Sequence, residues 1–463
     1  MDNNKKAVRP FGMRDKLGYL FGDFGNDFTF ILSSSFLLKF YTDIMGVEAA
    51  VIGVIMMVAR IVDAFTDVTM GRICDRSKMT PVGKFKPWIR RMCIPVALAS
   101  FLVYQSGLAG MSEGFKTVWL LVTYILWGSI FYTSINIPYG SMASAISPEP
   151  GDRQSLSSFR TMGGMLAGMI VMVGIPMVAY DKVDGNSVLN GSRFTLIAGV
   201  FSVFAVVCYM LCYSLVTERV KPEVAPDQKQ DSVFIMFKKA AKNRALISII
   251  AASIMMLLAQ LTMQGMANYV FPNYYGDTTA QSMSSLMMMG GMVLAAVFAK
   301  PLANKFGKAE IGAVSSIAAA VINIILLVIR PENVWVYAGF QAVSWIGLGL
   351  FSMVSWALIT DVIDATELAN GVREDGSVYA LYSWARKLGQ AASAGLTGAL
   401  LSMIGYSDTT AFDPTVTKGI YNVSCLVPAV GFLALGLILW FWYPLHKKQV
   451  DANVAALKEK HGE

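Results

Sequence analysis

Apolar runs of about 20 residues, each long enough to cross the hydrocarbon core of a bilayer, recur along the whole length of this chain. There are about twelve: 17–42, 48–72, 88–108, 117–145, 157–180, 194–217, 245–272, 279–303, 309–330, 334–360, 376–404 and 419–444. Of 463 residues, 55% are hydrophobic and only 15% charged, with a mean hydropathy of +0.53. A soluble domain carries nearer a quarter charged residues. The expected fold class is an all-α membrane protein with twelve transmembrane helices.

Between the sixth and seventh runs lies TERVKPEVAPDQKQDSVFIMFKKAAKNR, a charged stretch with two prolines and a basic amphipathic piece, VFIMFKKAAK, suited to a membrane surface. It divides the chain into a six-helix bundle over 1–217, a central loop over 218–244, a second six-helix bundle over 245–445 and a tail over 446–463. GRICDRSKMTPVGKFKPW follows the second run and KPLANKFGKAEIG the eighth, a faint echo of a repeated unit. Two six-helix bundles with a site between them at the midplane are the plan of the major facilitator fold.

The net charge of +7 raises the question of nucleic acid, but the distribution of charge answers it. Lysines and arginines collect before the first run, between the second and third (Arg72, Arg76, Lys78, Lys84, Lys86, Arg90, Arg91), in the central loop, after the eighth run and after the twelfth. The alternate connections TDIMGVEAA and YYGDTTAQSMSS have none. This is the positive-inside pattern, which places both termini in the cytoplasm of a multi-pass cell-membrane protein. The polar, basic N-terminus lacks the apolar core of a signal peptide. Cys74, Cys93, Cys208, Cys212 and Cys425 are odd in number and have no histidine beside them to complete a metal set, so they read as packing residues. His446 and His461 both fall in the tail, and neither a phosphate loop nor a nucleophile motif is present. The chain reads as no enzyme, with no cofactor and no nucleic-acid partner.

The second run contains ARIVDAFTDVTMG, in which Arg60, Asp63 and Asp67 interrupt an otherwise apolar segment. An ionised side chain at the bilayer centre costs roughly 2.5–3.5 kcal/mol on insertion scales, so its presence needs a reason. Asp63 and Asp67 are four residues apart and share a helix face, where their mutual repulsion favours a proton or small cation between them. Arg60, one turn away, offers a structural ion pair as the plainer explanation; one arginine still leaves one negative charge over. Other polar groups at membrane depth are Asp27 in the first run, Tyr132, Thr133 and Asn136 in the fourth, Arg160 at the start of the fifth, and Tyr379, Ser383 and Lys387 in the eleventh. Arg160 and Arg386 also fit snorkelling residues near helix ends. Tyr132, Tyr382 and Trp384 offer faces on which a sugar could stack.

ARIVDAFTD, GKFKPW, NIPYGSM and the DVIDATE…GVREDGSVY stretch together resemble the glycoside–pentoside–hexuronide:cation symporters, in order and over essentially the whole chain. The resemblance implies a major facilitator fold and sugar uptake coupled to Na⁺, Li⁺ or H⁺. It puts Asp63 and Asp67 on the cation-binding carboxylates with Thr133 as an oxygen ligand, and Asp27 on a sugar-binding aspartate. Tyr132, Arg160 and Lys387 fall on pocket positions. Three departures matter. Asn136 stands where the melibiose carrier has an aspartate, Gly140 where it has a tryptophan, and Thr66 where it has an asparagine that serves Na⁺. Replacing a carboxylate by Asn136 while Arg160 and Lys387 remain favours an anionic sugar such as a glucuronide or hexuronide, and the loss of an amide oxygen at Thr66 favours H⁺ over Na⁺.

Substrate contacts are thus expected at Asp27, Tyr132, Asn136, Arg160, Ser383 and Lys387, and the co-transported cation at Asp63, Asp67 and Thr133. An acidic cytoplasmic stretch, Asp361, Asp364 and Glu367 with Arg373, faces the basic Arg72, Arg76 and Lys84 as an inner gate; a solvated loop is the alternative. The partners are a small sugar and the lipid bilayer, with the chain acting as a monomer. Competing readings are a neutral pentoside or hexoside symporter coupled to Na⁺, a lipid or lysolipid carrier, a drug exporter and a non-transporting sensor; the density of paired polar groups favours a hydrophilic solute.

Overall fold

A computed structural model describes residues 9–220, 243–370 and 375–461. Each of the apolar runs becomes a helix. They are α1 (Met13–Asp43), α2 (Ala49–Arg76), α3 (Lys86–Val103), α4 (Glu113–Ile125), which runs through a π-helical segment (Leu126–Tyr132) into α5 (Thr133–Ile146), α6 (Pro150–Val178) and α7 (Gly191–Leu215). Then follow α8 (Arg244–Tyr269), α9 (Thr278–Phe306), α10 (Lys308–Ile329), α11 (Val334–Asn370), α12 (Asp375–Met403) and α13 (Pro414–Leu437). The expected tail is itself helical, as α14 (Lys447–His461). Among the described residues nine helical spans are long and apolar enough to cross a membrane. α1, α3 and α12 are not among them.

Local chemistry sets many of the boundaries. Ser112, Asn190, Asn243 and Asp277 each accept a backbone N–H of the first helical turn through the side chain, starting α4, α7, α8 and α9. Between α6 and α7 the chain makes a short hairpin of β1 (Tyr180–Val183) and β2 (Asn186–Leu189), turned at Asp184 and Gly185, both with positive φ. Asp-Gly is the pair that such a turn favours.

The chain divides into two compact units. One comprises Met1–Val47, Ile61–Asp181 and Leu189–Gln228; the other comprises Glu48–Arg60, Lys182–Val188 and Lys229–Glu463. In the first, α1 packs on α6 and α7, and α3 on α7. In the second, α8 packs on α12 and α13, and α10 on α13. The first of six spans thus meets the fifth and sixth in both, and the third meets the sixth, so the faint repeat in the sequence reappears as a repeated packing scheme. All five cysteines are free and buried, as packing residues are.

The GKFKPW connection has a structural task in the first unit. Its backbone N–H groups at Lys84, Phe85 and Lys86 all donate to the carboxylate of Glu218, at 2.6, 2.9 and 2.7 Å. Gly83 precedes them with φ +125°, a conformation that L side chains rarely adopt, and any Cβ there would run into Glu218. The next residue, Arg219, joins Arg9 in pairing with the fully buried Asp15. Most of the expected central loop, residues 221–242, lies outside the described residues, as does Arg373.

Two expectations are corrected here. Asp361 and Glu367 do not belong to a solvated loop: α11 continues through Asn370, and both acids are buried on it. Asp361 pairs with Lys308 of its own unit at 2.5 Å, and Lys84 gives its ammonium to the Asp75 carbonyl at 2.9 Å. Asp364 is half-buried on α11, while Arg72 and Arg76 are exposed at the end of α2. Tyr382 is no sugar platform. It is fully buried in the core of the second unit, where its hydroxyl accepts a hydrogen bond from Ser253 at 2.7 Å.

Candidate functional site

Asp63 and Asp67 lie one turn apart on α2, both half-buried. Opposite them, Ser129 and Thr133 lie one turn apart where the π-helical segment passes into α5. Ser129 donates to Asp63 Oδ1 at 2.5 Å and Thr133 donates to Asp67 Oδ1 at 2.9 Å. Both bonds span 66 positions of sequence, so two parallel helix faces meet rung for rung. The seven-residue π segment widens the turn just before Thr133, a kind of irregularity frequent at functional sites. Gly128 lies on the same side: a Cβ there would sit 3.8 Å from Asp63 Oδ1, in ordinary contact. Thr66, the residue between the two acids, turns its hydroxyl to the Asp63 carbonyl at 3.2 Å and so serves its own helix. Arg60 is half-buried one turn earlier.

A second constellation forms where α1, α5 and α6 meet. Arg160 donates from Nε to Asp23 Oδ1 at 2.9 Å, and its guanidinium lies 5.3 Å from the centre of the Tyr139 ring. Asp27, one turn beyond Asp23, is half-buried, and no described residue donates a hydrogen bond to it. Gly164 makes this approach possible, because a Cβ there would lie 2.5 Å from Asp27 Oδ2 and 3.1 Å from Asp23 Oδ2. Small residues at such helix contacts are the usual means of bringing membrane helices close. Asn136 accepts from Asn26 Nδ2 at 3.4 Å, and Asn26 Oδ1 accepts the buried Tyr209 hydroxyl at 2.8 Å, a chain linking α5, α1 and α7. Tyr132 stacks on Phe30 with 5.7 Å between ring centres. All of these residues belong to the first unit.

A sequence-family model described as MFS/sugar transport protein matches residues 18–447. The chain belongs to this family. This transporter is 31% identical to an uncharacterized symporter of Bacillus subtilis, over 98% of this chain and 97% of the relative. It is 29% identical to the glucuronide carrier protein homolog of Escherichia coli, over 96% of each. Its fold is similar to that of a bacterial homolog of the human lysosomal transporter Spinster, in an inward-facing conformation, with TM-score 0.66 and 11% identity over 96% of this chain and 99% of the other. The resemblance to the glycoside–pentoside–hexuronide symporters, and with it the major facilitator fold, therefore stands.

Within this transporter the first unit brings together Asp63, Asp67 and Thr133 as one cluster, and Asp27, Asn136 and Arg160 around α1 as another. Ser383 and Lys387 stand half-buried, one turn apart on α12, in the second unit; the Tyr379 side chain lies outside the described residues. Sequence reasoning passed over Ser129 and Asp23, and met Asn26 only as the polar neighbour of Asp27. The signal for Ser129 was present: it stands four residues before Thr133, the spacing of the two acids it faces. Asp23 repeats that spacing before Asp27, in FGDFGND.

Proposed function

We propose that this transporter is a symporter that imports a sugar, with an acidic sugar such as a glucuronide favoured, by coupling it to the entry of a cation at Asp63 and Asp67. The observation that carries the reading is the pair of parallel rungs, Ser129 to Asp63 and Thr133 to Asp67. Each hydroxyl satisfies one hydrogen bond of a carboxylate without itself adding charge, an arrangement that suits a cation that arrives and leaves. H⁺ is the preferred ion, because a proton needs one carboxylate oxygen, whereas Na⁺ needs several oxygens and Thr66 has turned its hydroxyl to the backbone. Na⁺ is the second reading, favoured by Ser129, an oxygen that the sequence-based count did not include.

The sugar would meet Asp27, Arg160 and Asn136: a carboxylate accepts from hydroxyls, a guanidinium donates charge-assisted hydrogen bonds to an acidic group, and an amide does either. The test is uptake of a labelled methyl β-glucuronide into proteoliposomes under an imposed pH or Na⁺ gradient. A pH gradient should drive accumulation, and a Na⁺ gradient at constant pH should not. Accumulation by neither gradient, in vesicles that exchange the sugar, would remove the coupling assignment.

A further inference from the structure

We infer that Asp23 sets the preference of the sugar site between acidic and neutral substrates, by holding Arg160 through Nε so that its Nη edge stays turned to the substrate. This rests on the reading of the chain as a sugar transporter. The bond to Asp23 uses the inner nitrogen of the guanidinium, at 2.9 Å, and the Arg160 side chain keeps 40% exposure. Its outer nitrogen Nη1 lies beside the bare backbone of Gly140, 3.7 Å from where a Cβ would be, in ordinary contact. Tyr139 underlies the guanidinium, and Tyr19 stacks on Tyr139 in turn.

On the same side of α1, Asp23 and Asp27 turn their Oδ2 atoms toward one point beside Gly164. The meeting of α1 and α6 therefore presents two kinds of group: guanidinium N–H donors, and the Asp27 carboxylate that no described residue bonds. A sugar acid matches both, with its carboxylate on Arg160 and its hydroxyls on Asp27. A neutral sugar matches only the second. The formal charge decides between them: with both acids ionised, two negative charges face one positive. Asp23 thus offsets the guanidinium and moderates the attraction for an anion. Its removal would leave Arg160 balanced by Asp27 alone.

The experiment measures binding of methyl β-D-glucuronide and methyl β-D-glucoside, which differ only at C6, to the purified full-length chain in detergent or nanodiscs. Asp23→Asn keeps an oxygen for Nε but removes the charge, and should raise the glucuronide-to-glucoside affinity ratio by about tenfold, the size of effect expected from one charge at short range in a partly solvated site. Asp23→Ala also releases Arg160, and should raise the ratio less than Asn does. If Asp23 only held the helices together, both variants would weaken both sugars equally, and an unchanged or lowered ratio in Asp23→Asn overturns the inference. Arg160→Lys, which keeps the charge and loses the fork, should lower the ratio at least tenfold and tests the same point should the Asp23 variants fail to fold; no change there also overturns it. A wild-type chain that binds neither glycoside overturns the sugar reading itself, whereas wild-type binding with unmoved ratios overturns the role of Asp23 alone.

Discussion

Two turns of helix in the first unit carry the same motif, a pair of aspartates four residues apart: Asp23 and Asp27 on α1, Asp63 and Asp67 on α2. They differ in their donors. Asp23 is held by a guanidinium, a donor that brings a permanent positive charge. Asp63 and Asp67 each accept from an alcohol on the facing helix, a donor that brings none. Spacing alone, then, does not set the surroundings of a carboxylate pair; the opposite helix does. A pair with a built-in counter-charge suits an organic solute that exchanges one set of hydrogen bonds for another. A pair bonded to hydroxyls suits an ion.

The sharpest way to break this distinction is to remove one charge from each pair in turn. Asp67→Asn should abolish gradient-driven accumulation while leaving sugar binding within about threefold, since hydrogen bonding to Thr133 survives in the amide. Asp27→Asn should do the reverse, lowering sugar affinity on the order of 10–100-fold, the worth of hydrogen bonds to a charged group. Counterflow and binding assays on both variants check this; loss of both functions in both variants would merge the two sites into one.

Next in size are the donors. Thr133→Val removes one hydroxyl bond to a carboxylate, worth roughly 1.5–3 kcal/mol, and should shift the half-saturating cation concentration by about tenfold or more with little change in sugar affinity. Ser129→Ala should act in the same direction. A variant pair that altered the sugar dependence instead would place the ladder on the substrate side.

Gly164→Ala sharpens the other half of the comparison. The added methyl would press on Asp27 and Asp23 together, and sugar affinity should fall by about tenfold while the cation dependence holds. The smallest effect on transport is expected at a residue in neither pair. Gly83→Ala strains a backbone of positive φ and crowds Glu218, at a stability cost of about 1–2 kcal/mol. The melting temperature in detergent should drop, with transport per folded molecule unchanged.

Much of this was legible in the sequence. Length and polarity of the apolar runs located the helices, because a bilayer leaves the backbone few choices, and charges stranded in those runs pointed to Asp27, Asp63, Asp67 and Arg160. Ser129 and Asn26 were not legible in the same way. Small polar residues are cheap enough in a membrane to pass as packing, and their meaning depends on register between helices, which here includes a π-helical segment. Asp23 hid beside a more familiar neighbour. Tyr382 and Glu367 show the opposite error: an aromatic and an acid that look available in the sequence are buried among residues of the second unit.

The clasp of Glu218 in the GKFKPW backbone, with Arg219 locked onto Asp15, has a consequence for biogenesis. Each of those partners precedes residue 220, so all of these bonds are in hand once the ribosome has passed Arg219. A nascent chain folds its N-terminal parts first when they can close on themselves. Here the first half is finished with a knot tied from its own thread, before any of the seventh span has left the translocon.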